Sequence, residues 1–375
     1  MDLTVMSATG TEGQTINPMP GVYISYPFCT QKCTFCNFAS DVYSREARVR
    51  YEQILLKEIR AQNWLRQPET VYFGGGTPSL MPVGLLQEVM NAVPRERLLE
   101  VTMECAPGTI TCELAESWLE CGINRVSLGV QSFVTDELRQ VGRRHTAEIV
   151  KAEVELLRDC GISNINIDLI AGLPGQRHQS WADSLDWIER ISPPHVSVYI
   201  FEVDEDSRLG NELIQGGTRY GAARVPDENL VAEFYETAID RLQNIGIERY
   251  EISNFARPGW ESRHNLKYWN LEPYVGFGLD AHSFDGARRW SNPETLDEYF
   301  AGRHTEAVRC DVSQEHFFVG LRLMKGIEPS REEWRRFEQP IHKWVEAGML
   351  KRDGSRLRLL PQAVLISNEI FQEFL

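Results

Sequence analysis

One short pattern, met three times, constrains the fold most. Glu120-Cys121-Gly122-Ile123-Asn124 recurs as Asp159-Cys160-Gly161-Ile162-Ser163, and Asn244-Ile245-Gly246-Ile247 echoes it. Each glycine can take the left-handed conformation that closes a helix, and the isoleucine after it opens the next strand. Repeated strand–helix units of this kind build a parallel sheet with right-handed crossovers. Strands are predicted over 21–26, 70–73, 99–104, 125–130, 164–170 and 195–201. A long amphipathic helix is predicted over 45–65, and a second runs from a Thr111 cap to Cys121, with Glu113 and Glu116 favouring its N-terminal end. About six units are visible, against the eight of a closed barrel. The expected class is therefore α/β, a partial (β/α)6 barrel.

The pattern changes after Glu251. Residues 254–289 are rich in glycine, aromatic and polar side chains, and helices dominate from Ser313. Asp353-Gly354, set between basic and apolar residues over 350–360, predicts a hairpin. The expected organisation is a flexible arm over 1–20, the barrel over 21–250, a connecting segment over 251–305 and a small helical, winged-helix-like domain over 306–375. A wing suggests DNA binding only by analogy. The formal charge of −15 argues against nucleic acid and anionic membranes as general partners. No apolar run approaches the roughly 18 residues of a membrane span. The first twenty residues predict no signal peptide, so the expected compartment is the cytosol, with its eight cysteines reduced.

Three of those cysteines fall within eight residues, in Pro27-Phe28-Cys29-Thr30-Gln31-Lys32-Cys33-Thr34-Phe35-Cys36-Asn37-Phe38. This segment follows the first strand, on the face where parallel β/α folds place their chemistry. Three thiolates can hold three irons of a four-iron cluster and leave the fourth open to an exchangeable ligand. A closed zinc site is the alternative, with a fourth ligand from Cys105, Cys112, Cys121, Cys160 or a distant histidine, but the spacing lacks zinc's usual ligand pairs.

Gly74-Gly75-Gly76-Thr77-Pro78 closes the second strand, and glycines there let a ligand approach the backbone. Glu104, Gln131 and Asp168 end three successive strands. Singly, each reads as well as a solvated strand end or a cap; together they favour one shared pocket. Arg143, in Gly142-Arg143-Arg144-His145, is by itself an ordinary surface charge.

The triplet and its position resemble the radical-SAM superfamily, marked by a CxxxCxxC loop after the first strand. The strings at 23–36, 74–79, 104–109, 129–133 and 167–174 are similar to the oxygen-independent coproporphyrinogen III dehydrogenase group. Those at 250–254, 262–269 and 315–326 resemble its shorter sister branch, the radical-SAM haem chaperones. The resemblance implies a [4Fe–4S] cluster on Cys29, Cys33 and Cys36, with S-adenosylmethionine (SAM) on the open iron. It also implies SAM contacts from Tyr23, Gly76, Thr77, Glu104, Gln131, Arg143 and Asp168. Reductive cleavage of SAM to methionine and a 5′-deoxyadenosyl radical is the chemistry such a pair supplies.

The branch turns on one position. The dehydrogenases resemble CxxxCxxCxC, whereas here the last cysteine is replaced by Phe38, as in the chaperones. The resemblance then implies haem binding and delivery to an apo-haemoprotein, such as a membrane respiratory enzyme. His264 is the candidate haem ligand. The competing expectations are oxidative decarboxylation of coproporphyrinogen III and a radical-SAM reaction on another tetrapyrrole, such as haem-degrading methyl transfer.

Overall fold

The computed structural model describes residues 18–202, 204, 205 and 207–375, so the expected arm falls almost wholly outside the described residues. Six parallel strands form its centre: β1 (Gly21–Tyr26), β2 (Thr70–Gly75), β3 (Glu100–Cys105), β4 (Arg125–Gln131), β5 (Asn164–Ala171) and β6 (His195–Ile200). They lie side by side in sequence order. Nearly every residue of these strands is buried or half-buried, as expected for parallel strands with both faces covered.

The three repeats close their helices alike. Gly122, Gly161 and Gly246 have φ of 94°, 101° and 75°. The following amide reaches back to a carbonyl of the last turn: Ile123 to Trp118 (2.9 Å), Ile162 to Leu157 (2.8 Å) and Ile247 to Leu242 (3.0 Å). Each isoleucine is buried and carries the chain from the helical layer into the sheet. The helix start at Thr111 is capped as predicted. Thr111 Oγ1 accepts from Leu114 N at 3.2 Å at the head of Cys112–Cys121. Thr111→Ala should destabilise the protein by about 1 kcal/mol, read as a lower denaturation midpoint with unchanged far-UV circular dichroism.

Two boundaries differ from expectation. The first helix ends at Ala61, not 65, where Gln62 turns extended. β2 continues through Gly74 and Gly75, because the neighbouring Ser25 and Tyr26 still offer backbone partners.

The larger difference lies in 251–305, expected as a connection. Here the chain adds strands to the same sheet. Beyond β7 (Glu248–Arg249) come β8 (Asn254–Ala256), β9 (Tyr274–Phe277), β10 (His282–Phe284) and β11 (Arg288–Ser291), and β12 (Val308–Arg309) follows just past the segment. β9 pairs in parallel with β1, and β8 pairs antiparallel with β6, so both edges of the central six are covered. The strands have only two to four residues each, too few for a legible alternation.

The last residues contain the predicted hairpin, β13 (Leu350–Asp353) with β14 (Arg356–Leu359), turned at Gly354 with φ 63°. Short helices flank it, and Phe317, Phe337 and Phe374 pack together at their centre with ring centroids 4.6–5.6 Å apart. Among the described residues no helix is long and apolar enough to cross a membrane.

Candidate cluster and cofactor site

The cysteine loop is tied down before any ligand is considered. Cys29 N donates to Asp41 O and Asp41 N to Pro27 O, both at 3.0 Å, so the two ends of the loop are bonded to each other. Phe28 is buried edge-on against Tyr26, Tyr43 and Tyr51. The middle is held by Thr34, whose amide reaches Val141 O (3.3 Å) and whose carbonyl accepts from Leu209 N (2.8 Å). Between these anchors Cys29, Cys33 and Cys36 are half-buried and line one open cavity of about 440 Å³ at the C-terminal ends of the strands.

The glycine run forms the wall beside them. A Cβ on Gly76 would come within 2.8–3.0 Å of the Pro27 carbonyl carbon, the Phe28 oxygen and Cys29 Sγ. Thr77 N donates to Phe28 O at 3.0 Å, and its hydroxyl lies 3.7 Å from Cys29 Sγ. The loop after β2 and the cysteine loop thus touch without side chains between them.

Glu104 and Gln131, at the ends of their strands as expected, line the same cavity; Asp168 reaches it from within β5 instead of from its end, and Arg143 from the turn after the helix Thr135–Gln140. Tyr72 donates its hydroxyl to Glu104 Oε1 at 2.7 Å. Burial, reinforced by the nearby Asp168, still raises Glu104 to about 7. Burial raises Asp168 as well, against the hydrogen bonds of its neighbours, including Asn166 Nδ2 at 2.7 Å. Gln131 sits at an irregularity between β4 and β5 with φ 71°, a left-handed conformation that turns its side chain from the strand into the cavity. Burial raises the Cys33 thiol, and the Arg143 guanidinium opposes that shift. Arg143 Nε is buried without a hydrogen-bond partner, a donor held ready for an anion.

Tyr23 lies one step away. Its ring stacks on Tyr72 (6.2 Å, 19°) and lines a side cavity of about 40 Å³ with Ser25, Phe38 and Asp280. Residues the sequence reading missed complete the mouth: Phe35, Ser127, His145, Ile170 and Tyr199. The signal for Ser127 and Tyr199 was strand alternation, which aims them to the same side as Asp168.

His264 is elsewhere. It is 1% exposed, beside Gly21 and Thr70 at the N-terminal ends of β1 and β2, opposite the cysteine loop. Its Nδ1 lies 2.8 Å from Thr70 Oγ1 and its Nε2 2.8 Å from Tyr268 Oη. Burial lowers it to about 3. Both ring nitrogens are engaged, so an iron could reach either one only after a buried hydrogen bond breaks. In this arrangement His264 is a satisfied interior histidine and does not face the cavity.

Among the described residues, no three Cys, His, Asp or Glu side chains converge as a single metal ion requires. The three thiols instead line one shared open cavity. A glycine cradle at Cys29, a guanidinium beside Cys33 with its Nε unpaired and two carboxylates within the cavity fit an iron–sulfur cluster bearing an amino-acid ligand.

Comparison with known proteins agrees. Residues 23–188 match the Radical SAM superfamily. The chain is 31% identical to the heme chaperone HemW of Lactococcus lactis, over 94% of this chain and 96% of that one. It is 32% identical to the heme chaperone HemW of Bacillus subtilis, over 95% and 99%. Among solved structures, the coproporphyrinogen III oxidase HemN of Escherichia coli superposes with a TM-score of 0.80, at 20% identity, over 95% of this chain and 90% of that one. At that identity the likeness concerns the fold alone. The chain belongs to the haem chaperone family within the radical SAM superfamily.

Proposed function

We propose that this protein binds haem, holds a SAM-ligated [4Fe–4S] cluster, and hands the haem to an apo-haemoprotein. The observation that carries this reading is the 31–32% identity to named haem chaperones along nearly the whole chain. Phe38, standing where the decarboxylating branch has a cysteine, points the same way. In this reading Cys29, Cys33 and Cys36 hold the cluster. Glu104 and Asp168 receive the amino group and ribose of SAM, and Arg143 its carboxylate. When bound, this pair supplies reductive cleavage of SAM. The protein's own share is to position the ligand and to exclude water with the walls built by Gly76, Gln131 and Ile170.

Haem is assigned to the cavity mouth. Phe38 is 63% exposed and Tyr199 42%, both large rings on the rim. Lys32 and Arg144 stand on the same rim and suit the two propionates. Exposed aromatic surface beside cations is what a flat, dianionic, mostly apolar ligand needs. Phe38→Ala should weaken haem binding about tenfold, the loss of one stacked ring, while cluster absorbance stays intact. An unchanged haem titration would move the haem elsewhere. The proposed acceptor is a membrane respiratory enzyme, met from the cytoplasmic side.

The second reading is oxidative decarboxylation of coproporphyrinogen III, which the shared fold accommodates. The deciding experiment is anaerobic: reconstituted protein, SAM, a low-potential reductant and coproporphyrinogen III, with a parallel haem titration. Stoichiometric haem and no protoporphyrinogen are expected. Product formed with turnover would overturn the chaperone reading.

A further inference from the structure

Outside the cavity, two thiols from distant parts of the sequence meet at the surface. Cys112 is exposed at the first position of the helix Cys112–Cys121. Cys160 is half-buried at the C-terminal cap of the helix Ala147–Asp159. Their Sγ atoms are 3.4 Å apart, although 48 positions separate them in sequence. Neither belongs to the cluster loop, and neither lines the cavity.

We propose that Cys112 and Cys160 are a redox-active dithiol, converted to an intramolecular disulfide by a small-molecule disulfide such as oxidised glutathione. A disulfide needs its sulfurs about 2.05 Å apart. The remaining approach is a small rotation of two surface side chains. In the exchange, the thiolate of one cysteine attacks the oxidant's S–S bond, forms a mixed disulfide and expels one glutathione thiolate. The second cysteine's thiolate then displaces the other glutathione. The two protons lost by the cysteines end on the two released thiols, and two electrons pass from the protein pair to the oxidant. The second step is intramolecular, so the mixed disulfide does not persist.

The other cysteines lack this arrangement. Cys105 and Cys121 are buried, and Cys310 has no thiol beside it among the described residues. The pair also sits where a bond would have leverage. Glu153, on the same helix as Cys160, accepts from Gly108 N and Ile110 N at 2.8–3.0 Å. Gly108 and Ile110 follow Pro107 of the cavity rim and lead directly into Cys112. Oxidation would add a covalent tie to the contact that already fixes this turn, and would close a long loop in the unfolded chain.

The test uses the cluster-loaded protein, anaerobically, incubated with oxidised glutathione, quenched in acid, alkylated and mapped by tryptic digestion. The expected result is one cross-linked peptide joining Cys112 to Cys160, two hydrogens lighter than the reduced pair. Iron should stay at about four per chain, and the melting midpoint should rise by a few °C. Cys112→Ser, which touches neither cluster nor cavity, should instead retain glutathione on Cys160. Glutathione left on wild-type Cys112 or Cys160 without a cross-link would overturn the proposal. So would two fully alkylatable thiols under conditions that modify Cys310, or a link from either cysteine to 29, 33 or 36.

Discussion

Cys33→Ser is expected to yield a folded protein without a cluster: iron falls from about four per chain to near zero, and the charge-transfer absorbance disappears. The fold should survive because what holds the loop does not involve this thiol. The bonds at Cys29 N and Asp41 N, the aromatic packing of Phe28 and the amide of Thr34 all remain. The cluster should not survive, because three thiolates already leave one iron without a protein ligand, losing another leaves two, and a serine hydroxyl is a poor ligand at neutral pH. Cys29→Ser and Cys36→Ser should behave alike. Iron retained at about four per chain would show that the ligand set is wrong, and a single zinc would restore the closed-site alternative.

The second large effect concerns Glu104. Burial lifts its carboxyl from the ordinary 4.5 to about 7, so it carries its proton through most of the mildly acidic range. A neutral acid is a weaker acceptor than a carboxylate for the N–H groups of SAM's amino group. Affinity for SAM should therefore be full at pH 8 and fall as pH drops below 7, approaching tenfold per unit. Glu104→Gln keeps the shape and the partner of Tyr72 but removes the charge. It should weaken SAM binding by roughly 10- to 100-fold at pH 8, the range for a hydrogen bond to a charged group, and flatten the profile between pH 6 and 8. The sign reverses for stability without ligand. A carboxyl raised on folding favours the folded state below pH 4.5, and that contribution is lost as pH rises toward 7. The ligand-free variant should then melt higher than wild type at pH 8, even as it binds SAM worse. A variant with unchanged SAM affinity and an unchanged pH profile would remove Glu104 from the site.

Much of this site was legible because parallel strands are buried on both faces. Runs such as Val126 to Val130 and Ile165 to Ile170 therefore stand out, and a polar residue at the end of such a run, or interrupting it as Asp168 does, is conspicuous as a candidate for the mouth. Glu104, Gln131 and Asp168 were found in that way. The helix ends were equally plain, since only glycine fits the left-handed turns at 122, 161 and 246 without strain. What escaped was pairing between short segments. Nothing in Tyr274-Val275-Gly276-Phe277 says that it lies beside β1. That placement carries 262–269 beneath the N-terminal ends of the strands. A cluster of histidine and aromatic residues looks the same in sequence at either end of a barrel, and so His264 was read as a ligand when its surroundings make it part of the interior. Tyr199 and Ser127 were missed for a different reason. Their role depends on facing Asp168 across neighbouring strands, a relation that no single segment carries.

The bonded ends of the cysteine loop bear on how the metal centre is assembled. With Phe28 and Asp41 already joined by a parallel bridge, the chain presents its thiols on a closed loop instead of a wandering coil. Little ordering remains to oppose the arrival of iron and sulfide. Reactivation of the stripped protein should consequently be limited by delivery of those ions, with the polypeptide waiting in nearly its final shape.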